Sequence, residues 1–422
     1  MRIIVQKFGG TSVSDSERRA HVVQRVRSAL SKGLRPVVVV SAMGRRGDPY
    51  ATDTLLDQIR AVEPEPDPRE EDLMISCGEV ISATVLAATL RRAGVGRPVT
   101  LTGWQSGILT DHRFGDARIL RVEPTPLLQR LEQGLLPVVT GFQGITEGGD
   151  VTTLGRGGSD TTAAALGVAL HAEEVEIYSD VEGVMTADPR IVPDARTLHV
   201  LTYEEVLQMA DLGSRIVHPR AVELAMQGSV PLRIRSTFSD GPGTLITHAF
   251  ESAGAWADLY GGRIITGVAH MTDMCLVQVT GSPREGDGAG EGRLDSGAVN
   301  RRIFRPLAEA GVSVDLINVS PDRRSFIVRE ADAEKTRKIL EPQGFGVSLL
   351  HGCAKVSVVG AGMRGLPGVM ARVVEALAER GIEILQTSDS HVTISCLVRG
   401  EQMEEAVRAL HEAFELGERP RV

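Results

Sequence analysis

Cysteine is scarce, and the four that occur (Cys77, Cys275, Cys353 and Cys396) are far apart, with no CxxC pair. That spacing excludes a disulfide framework and a zinc-ribbon-type site, and it fits free thiols in a reducing compartment. None of the ten histidines stands in an HExxH pattern, so spacing gives no reason to expect a bound metal. No apolar run approaches the roughly 18 residues of a bilayer span. The start "MRIIVQKFGG" reaches Gly9 too soon for a secretory segment, so the expectation is a cytoplasmic chain with no membrane partner. Basic charge is not in excess: 46 Lys+Arg against 55 Asp+Glu leave a net charge of −9, which excludes a general attraction to nucleic acid. Lysine itself is rare, being confined to Lys7, Lys32, Lys335, Lys338 and Lys355. Arginine is therefore the default cation of this chain, and a lysine inside a glycine-rich stretch carries information.

What is present is the composition of a globular protein, 42% hydrophobic and 24% charged, with a length that calls for two or three domains. The first 240 residues alternate short β-branched runs with longer amphipathic ones. "RIIVQKF" reads as a strand ending in "GGTSVSD", and "SERRAHVVQRVRSALSKG" as a helix with Val22, Val23, Val26, Ala29 and Leu30 on one face and Gly33 as its stop. "RPVVVVSAMG" is a continuous apolar run, as a strand buried on both faces requires. "LLPVVTGFQG" and "AEEVEIYSDVEGV" repeat the theme. Strand, glycine turn, helix, strand is the pattern of an α/β domain with helices on both faces, whose ligands gather at the carboxyl ends of the strands.

A stretch rich in small and turn-forming residues, Ser239–Gly262, marks the main boundary. After it a shorter pattern occurs twice. "ITGVAHMTDMCLVQVTG", a helix around "AVNRRIFRPLAEAG", "VSVDLINVS" and "RSFIVR" make the first copy. "CAKVSVVGAG", "GVMARVVEALAERG", "IEILQTSDS" and "HVTISCLVR" make the second. Each copy reads β-α-β-β followed by a helix, about 70 residues in the manner of a ferredoxin-like unit. The first carries a Gly/acid-rich insert, "GSPREGDGAGEGRLDSG", expected to be a disordered loop.

Two glycine turns carry the chemistry. In "KFGGTS", main-chain N–H groups at Gly9 and Gly10 can converge on an anion, with Lys7 adding a full charge. A Walker A loop is excluded because its lysine follows the glycines; taken alone the stretch is also an ordinary strand–helix turn with a solvated lysine. In "TLGRGGSDTTAAALGVAL", Gly155, Gly157 and Gly158 free the backbone, and Ser159 or Asp160 is placed to cap the helix that follows. Arg156, flanked by glycines, suits bidentate capture of a carboxylate or phosphate, although a surface arginine is ordinary in this chain. "MISCGEVISATVLAATL" places Glu79 at the entrance of an apolar helix, where an acid complements the helix dipole. Facing the same cleft, it would hold an ammonium group. Arginine for a carboxylate and glutamate for an ammonium together describe an amino-acid pocket.

Taken in order, "KFGGTSV", "VVVVSAMG" followed by "TDTLLD", "SCGE", "GFQG", "TLGRGGSDTTAA", "SDVEGVMTADPR", "LGSRIVHPRAVE" and "STFSDGPGTLI" resemble the aspartate kinase family of the amino-acid kinase superfamily. "ITGVAH" and "KVSVVGAGM" followed by "PGV" resemble that family's tandem ACT regulatory domains. The resemblance runs from Lys7 to about Gly417 and implies an α/β fold: a three-layer α/β/α sandwich with a mainly parallel sheet, plus two ferredoxin-like ACT units. The implied division is a catalytic domain over 1–240, a connecting segment over 241–262, and ACT domains over 263–345 and 346–422.

The activity implied is ATP-dependent phosphorylation of the side-chain carboxylate of L-aspartate to 4-phospho-L-aspartate, the first step toward lysine, threonine and methionine. Mg²⁺ would arrive with ATP. Lys7 and Asp160 would be catalytic, and Lys7, Gly9, Gly10, Ser41, Gly157 and Gly158 would surround phosphate. Thr52, Glu79, Arg156 and Ser159 would contact aspartate. Ser179, Asp180, Met185, Asp188, Arg190 and Arg215 would lie around ATP, Arg215 standing where the family usually has lysine. The nucleophile is a carboxylate already ionised at neutral pH, so no general base is required. The ACT units would pair across a homodimer or a dimer of dimers and bind an effector: lysine, threonine or diaminopimelate. Asp315, Asn318, Thr387 and Ser388 would face it. "VDLINVS" is one residue shorter than the family's usual "QNVS"-containing version but keeps Asn318.

Two other readings remain at this stage. The glycine loops would also serve N-acetylglutamate, glutamate 5- or UMP kinase, relatives that lack "SCGE" with tandem ACT units. A catalytically inert ACT amino-acid sensor would have no need of Lys7, Glu79, Arg156 and Asp160 together.

Overall fold

A computed structural model describes residues 1–213, 217–248, 264–281, 296–320, 323–363 and 366–417. They fall into two compact units, Met1–Val184 with Thr197–Gly261, and Met185–Arg196 with Gly262–Val422.

The first unit contains β1 (Ile3–Phe8), β2 (Arg35–Val40), β3 (Pro98–Leu101), β4 (Ile108–Thr110), β5 (Ile119–Val122), β6 (Leu136–Thr140), β7 (Gln143–Ile145), β8 (Val151–Thr153), β9 (Glu174–Ser179), β10 (Val200–Thr202), β11 (Leu232–Ser236) and β12 (Thr244–Thr247). Its helices are α1 (Gly10–Val13), α2 (Ser16–Ser31), α3 (Thr52–Val62), α4 (Pro68–Arg92), α5 (Thr125–Glu132), α6 (Gly158–Ala169), α7 (Tyr203–Asp211) and α8 (Pro219–Gln227). The main sheet has the order β10-β12-β11-β9-β1-β2-β6-β3, with β1 parallel to both β2 and β9. A smaller sheet, β5-β4-β7-β8, accompanies it. Val37 to Val40 are each 0% exposed, as expected for a strand covered on both faces.

Strand alternation fixes which side chains reach which layer. Phe8, Val38, Val40 and Tyr178 share one face and pack with Val22 and Val26 of α2 and Ala83, Leu86 and Leu90 of α4. Lys7, in register with Val39 and Ile177, must point the other way. That opposite face carries α6, whose Gly167 lies so close to β9 that a Cβ there would meet Val175 at 2.3 Å. The result is the expected three-layer α/β/α sandwich with a mainly parallel sheet.

Helix α4 departs from the sequence expectation. Its 25 residues reach a mean hydropathy of 1.8 over an 18-residue window, enough by length and composition alone to cross a membrane. Half of that window is buried inside the protein, and the helix carries the buried acids Asp72 and Glu79, so it is a core helix.

The second unit holds β13 (Gly267–Thr280), α9 (Ser296–Glu309), β14 (Asp315–Val319), β15 (Arg323–Arg329), α10 (Glu330–Leu340), β16 (Gly346–Val359), α11 (Val369–Glu379), β17 (Gln386–Asp389), β18 (Thr393–Arg399) and α12 (Met403–Ala413). All six strands join one antiparallel sheet, β14-β15-β13-β16-β18-β17. Cys275, Val277 and Val279 pack with Val299, Ile303, Phe326 and Leu340 in one core. Val268, Val356, Val358, Val373, Cys396 and Leu410 belong to another. The long strand β13 therefore serves both: its first half pairs with Lys355–Val359 of β16 and its second half with β15.

The second core also contains Ala187, Ile191 and Val192. The chain leaves the first unit after Val184 and returns at Thr197. The intervening loop is tied down by the Val268 N–H donating to the Thr186 carbonyl at 2.7 Å and by Arg408 Nε donating to the Ile191 carbonyl at 3.1 Å. The Gly/acid-rich insert lies outside the described residues from 282 to 295, as does the connecting segment from 249 to 263.

Candidate active site

Lys7 and Asp160 meet on the α6 face of the sheet. Lys7 Nζ stands 2.7 Å from Asp160 Oδ1, and each side chain is only 13% exposed. Asp160 is free for this contact because the expected capping does not occur. The N-cap of α6 is Gly157, with no side-chain bond, so Ser159 and Asp160 both lie within the first turn. An acid there still complements the helix dipole.

Both glycine turns are shaped by close approach. At Gly10 a Cβ would fall 2.5 Å from the Ala42 carbonyl oxygen. Gly9 is extended, and its N–H donates to the Tyr178 carbonyl at 3.4 Å. A Cβ on it would sit 3.7 Å from Lys7 Nζ, so the amine lies directly over this turn. Gly157 has φ +71° and is pressed against an imidazole: a Cβ would lie 2.3 Å from His218 Cγ. Gly158 packs on Phe142 and Leu154. Gly141 of "GFQG" makes room for the buried Ser159, since a Cβ there would meet Ser159 Oγ at 2.8 Å.

Glu79 sits deep inside α4, not at its entrance, so a helix-dipole role is ruled out. It is 2% exposed. Its Oε1 accepts from the Ala42 N–H at 3.0 Å, whereas Oε2 is buried without a hydrogen-bond partner among the described residues. Burial pushes its carboxyl up to about 8. Gly78 allows the approach, because a Cβ there would lie 2.9 Å from both Ala42 Cβ and the Tyr50 carbonyl oxygen. The Ser41–Ala42 turn and the start of α3, where Thr52 is half-buried, are thus held against Glu79. Ser41 is tied to β1 through its N–H to the Phe8 carbonyl at 3.2 Å. A short series of contacts, Lys7 to the Gly9–Gly10 turn to Ala42 to Glu79, links the cationic and anionic ends.

Arg156 is exposed and forms no hydrogen bond or ion pair among the described residues. Ser179 ends β9; its carbonyl accepts from the Thr237 N–H at 2.9 Å and its Oγ donates to Asp180 at 3.1 Å. Asp180 in turn faces Arg45 at 3.1 Å. Met185, Asp188 and Arg190 belong to the second unit, so the 1–240 boundary does not follow the packing here. Asp188 and Arg190 pair with each other at 2.6 Å, and the Arg190 hydrogen bond holds the Asp188 carboxyl below its ordinary range. Arg215 lies outside the described residues.

The structure adds two residues that the sequence did not single out. His218, from "LGSRIVHPRAVE", flanks Gly157, with its buried Nδ1 lacking a partner among the described residues. Burial pushes its imidazole down, opposed by the charge of Asp160. Asp72, buried in α4, accepts from the Gly115 and Thr153 N–H groups and from Thr153 Oγ1, bracing the strand that leads into Gly155. The signals were a histidine before the helix-starting Pro219 and an acid in an otherwise apolar helix.

On this three-layer sandwich a lysine–aspartate pair stands over glycine turns at the ends of parallel strands. The family model "Amino acid kinase family" matches residues 2–236, and that for the ACT domain matches 348–412. Aspartokinase 1 of Bacillus subtilis is 46% identical over 416 residues, covering 99% of this chain and 100% of that protein. E. coli aspartokinase III, solved with aspartate and ADP in its R-state, superposes with a TM-score of 0.75 at 26% identity, covering 98% of this chain and 99% of that one. The same enzyme with lysine and aspartate, in its T-state, gives a TM-score of 0.73 at 26% identity, over the same shares of the two chains. The chain belongs to the aspartokinase family.

Proposed function

We propose that Lys7, Asp160, Glu79, Arg156 and the two glycine turns form the site at which ATP and L-aspartate react. The chain is an aspartate kinase: it transfers the γ-phosphoryl group of ATP to the side-chain carboxylate of L-aspartate. A carboxylate oxygen attacks phosphorus, the bond from phosphorus to the bridging oxygen breaks, and ADP leaves with that electron pair. No proton moves, because the attacking carboxylate is already ionised. Lys7 balances charge on the transferring group, and Asp160 fixes the direction of its ammonium. Gly10 and Gly157 bring main-chain donors to phosphate, Ser41 its hydroxyl, and Gly9 and Gly158, whose N–H groups bond within the protein, shape the turns around it. Arg156 takes a carboxylate of the substrate, Glu79 its ammonium, and Thr52 and Ser159 complete the pocket. Ser179 and Asp180 serve the nucleotide, a role we also assign to Arg215.

Asp160 is already paired with Lys7, which suits a metal delivered by the nucleotide better than one held in a protein cage. Mg²⁺ bound with ATP would neutralise phosphate charge, with Asp160 the side chain beside it.

The observation that carries this reading is Glu79, a buried acid with one oxygen lacking a hydrogen-bond partner among the described residues, joined through Ala42 to the turn beneath Lys7. In the tail, Gln386 Nε2 donates to the Leu316 carbonyl and so joins edge strands β14 and β17. We place the effector along these edge strands, at Asn318, Thr387, Ser388 and Asp315, whose carboxylate already pairs with Lys355. We read the division of the chain as 1–240, 241–262, 263–345 and 346–422, the assembly as a homodimer or dimer of dimers, and the compartment as cytoplasm. The test is hydroxamate trapping with ATP and Mg²⁺, aspartate against glutamate, followed by titration with lysine, threonine and diaminopimelate. Aspartyl hydroxamate alone, with one of the three effectors inhibiting, is expected; equal turnover of glutamate overturns the pocket assignment.

A further inference from the structure

We propose that Cys275, Glu330 and His351 form a three-ligand site for a soft divalent cation, Zn²⁺ foremost, at the seam where the two ACT cores share one sheet. The three residues are distant in sequence, and the fold converges them. Cys275 Sγ, a Glu330 carboxylate oxygen and a His351 ring nitrogen all lie within 4.8 Å of one another.

The convergence is built by a β-bulge. Between β13 and β16, Met274 faces Cys353 and Leu276 faces Leu350, so both His351 and Gly352 stand opposite Cys275. Gly352 takes φ +65°, which a side chain would resist. Bulges of this kind re-aim side chains. Glu330, the first residue of α10, holds the bulge with one carboxylate oxygen, accepting the Gly352 N–H at 3.2 Å. Its other oxygen contacts His351 Nδ1.

The donor set is that of zinc: thiolate, imidazole and carboxylate. Tetrahedral Zn²⁺ would bring these donors to roughly 3.4–3.6 Å from one another. Glu330 and His351 would have to open their mutual contact and draw toward Cys275, a movement their side chains, 37% and 49% exposed, can make. That exposure also gives the ion a path in from solvent and leaves its fourth position to water. Cys275 is fully buried within the first ACT core, and burial pushes its thiol up to about 12. As a nucleophile it is inert. A metal ion changes this, because the Zn–S bond forms as the thiol proton departs to solvent, with no change of oxidation state. The Glu334 carboxylate also acts on the thiol, adding to the negative field that would favour a cation. Loaded, the site would clamp β13, β16 and α10 at the point where the two cores meet.

The experiment uses the full chain, freed of metal by chelation and without nucleotide, titrated with Co²⁺ as a spectroscopic probe and then with Zn²⁺ in competition. One Co²⁺ per chain with a thiolate-to-cobalt charge-transfer band is expected. The band should vanish in Cys275→Ser and persist in Cys77→Ser, whose side chain is exposed. Because Cys275 is a core residue, His351→Ala provides a second arm at the surface, with Zn²⁺ affinity expected to fall at least about tenfold. A wild-type protein without the band, a band that survives Cys275→Ser, or unchanged affinity in His351→Ala overturns the site.

Discussion

Lys7 Nζ lies 2.7 Å from Asp160 Oδ1, a contact between the last turn-facing position of β1 and the first turn of α6. The carboxylate points the ammonium over the Gly9–Gly10 turn. Lys7→Ala is expected to lower kcat by at least about a hundredfold, the scale of losing one donor to developing charge. Asp160→Asn should reduce kcat less, because the amine remains but loses its orientation. Steady-state kinetics with saturating ATP and aspartate measure both.

Glu79 makes aspartate binding depend on pH. Its folded-state value near 8 lies above the ordinary 4.5, so the free protein holds a proton there at neutral pH. Ammonium capture needs the carboxylate, so aspartate affinity should rise with pH up to about 8 and then level off. For stability the sign is opposite. The raised value contributes stability that is complete below 4.5 and is lost as pH climbs through about 8. Glu79→Gln should remove both slopes and weaken aspartate binding by about ten- to a hundredfold, the range for a hydrogen bond to a charged group. Calorimetric titration with aspartate across this pH range, beside thermal unfolding, provides the check.

Arg156 makes no hydrogen bond or ion pair among the described residues, so its removal should cost nothing in folding. Arg156→Ala is expected to raise the aspartate KM by about tenfold or more while Tm and the ATP KM hold steady. An unchanged aspartate KM would falsify its assignment to the substrate carboxylate.

Gly157 combines a left-handed backbone with contact against the His218 ring. Gly157→Ala should destabilise by about 1–3 kcal/mol from the backbone alone. The ring contact adds to this, so pairing it with His218→Ala should return part of the loss, at least about 0.5 kcal/mol of coupling. Urea unfolding of the two single variants and the double variant measures it.

Much of this architecture was legible in the residues. Apolar runs such as Val37–Val40 and the repeated glycine turns announced a covered parallel sheet, and the ordered motifs singled out Lys7 and Asp160, which the fold brings together. Position within an element was harder to see. Glu79 looked like a first-turn acid because the polar stretch before it reads as a loop, yet Asp67 caps a helix that begins at Pro68. Ser159 and Asp160 looked like caps, but Gly157 in the left-handed region takes that position and frees the acid for Lys7. Convergence across distance was invisible: nothing in the spacing of residues 275, 330 and 351 hints at a common point, because a one-residue bulge creates it. Nor did a turn-rich loop around Asp188 announce that its apolar residues belong to another core.

That loop bears on how such a protein can be assembled or taken apart. Ala187, Ile191 and Val192 are covalently part of the kinase half but find their burial in the tail. A kinase half expressed without its tail would present them to water as a sticky patch, while a tail made alone would lack part of its own interior. The two halves are therefore not interchangeable cassettes: recombination at 240 would leave both products incomplete, and shuffling regulators among such enzymes would require the loop to travel with them.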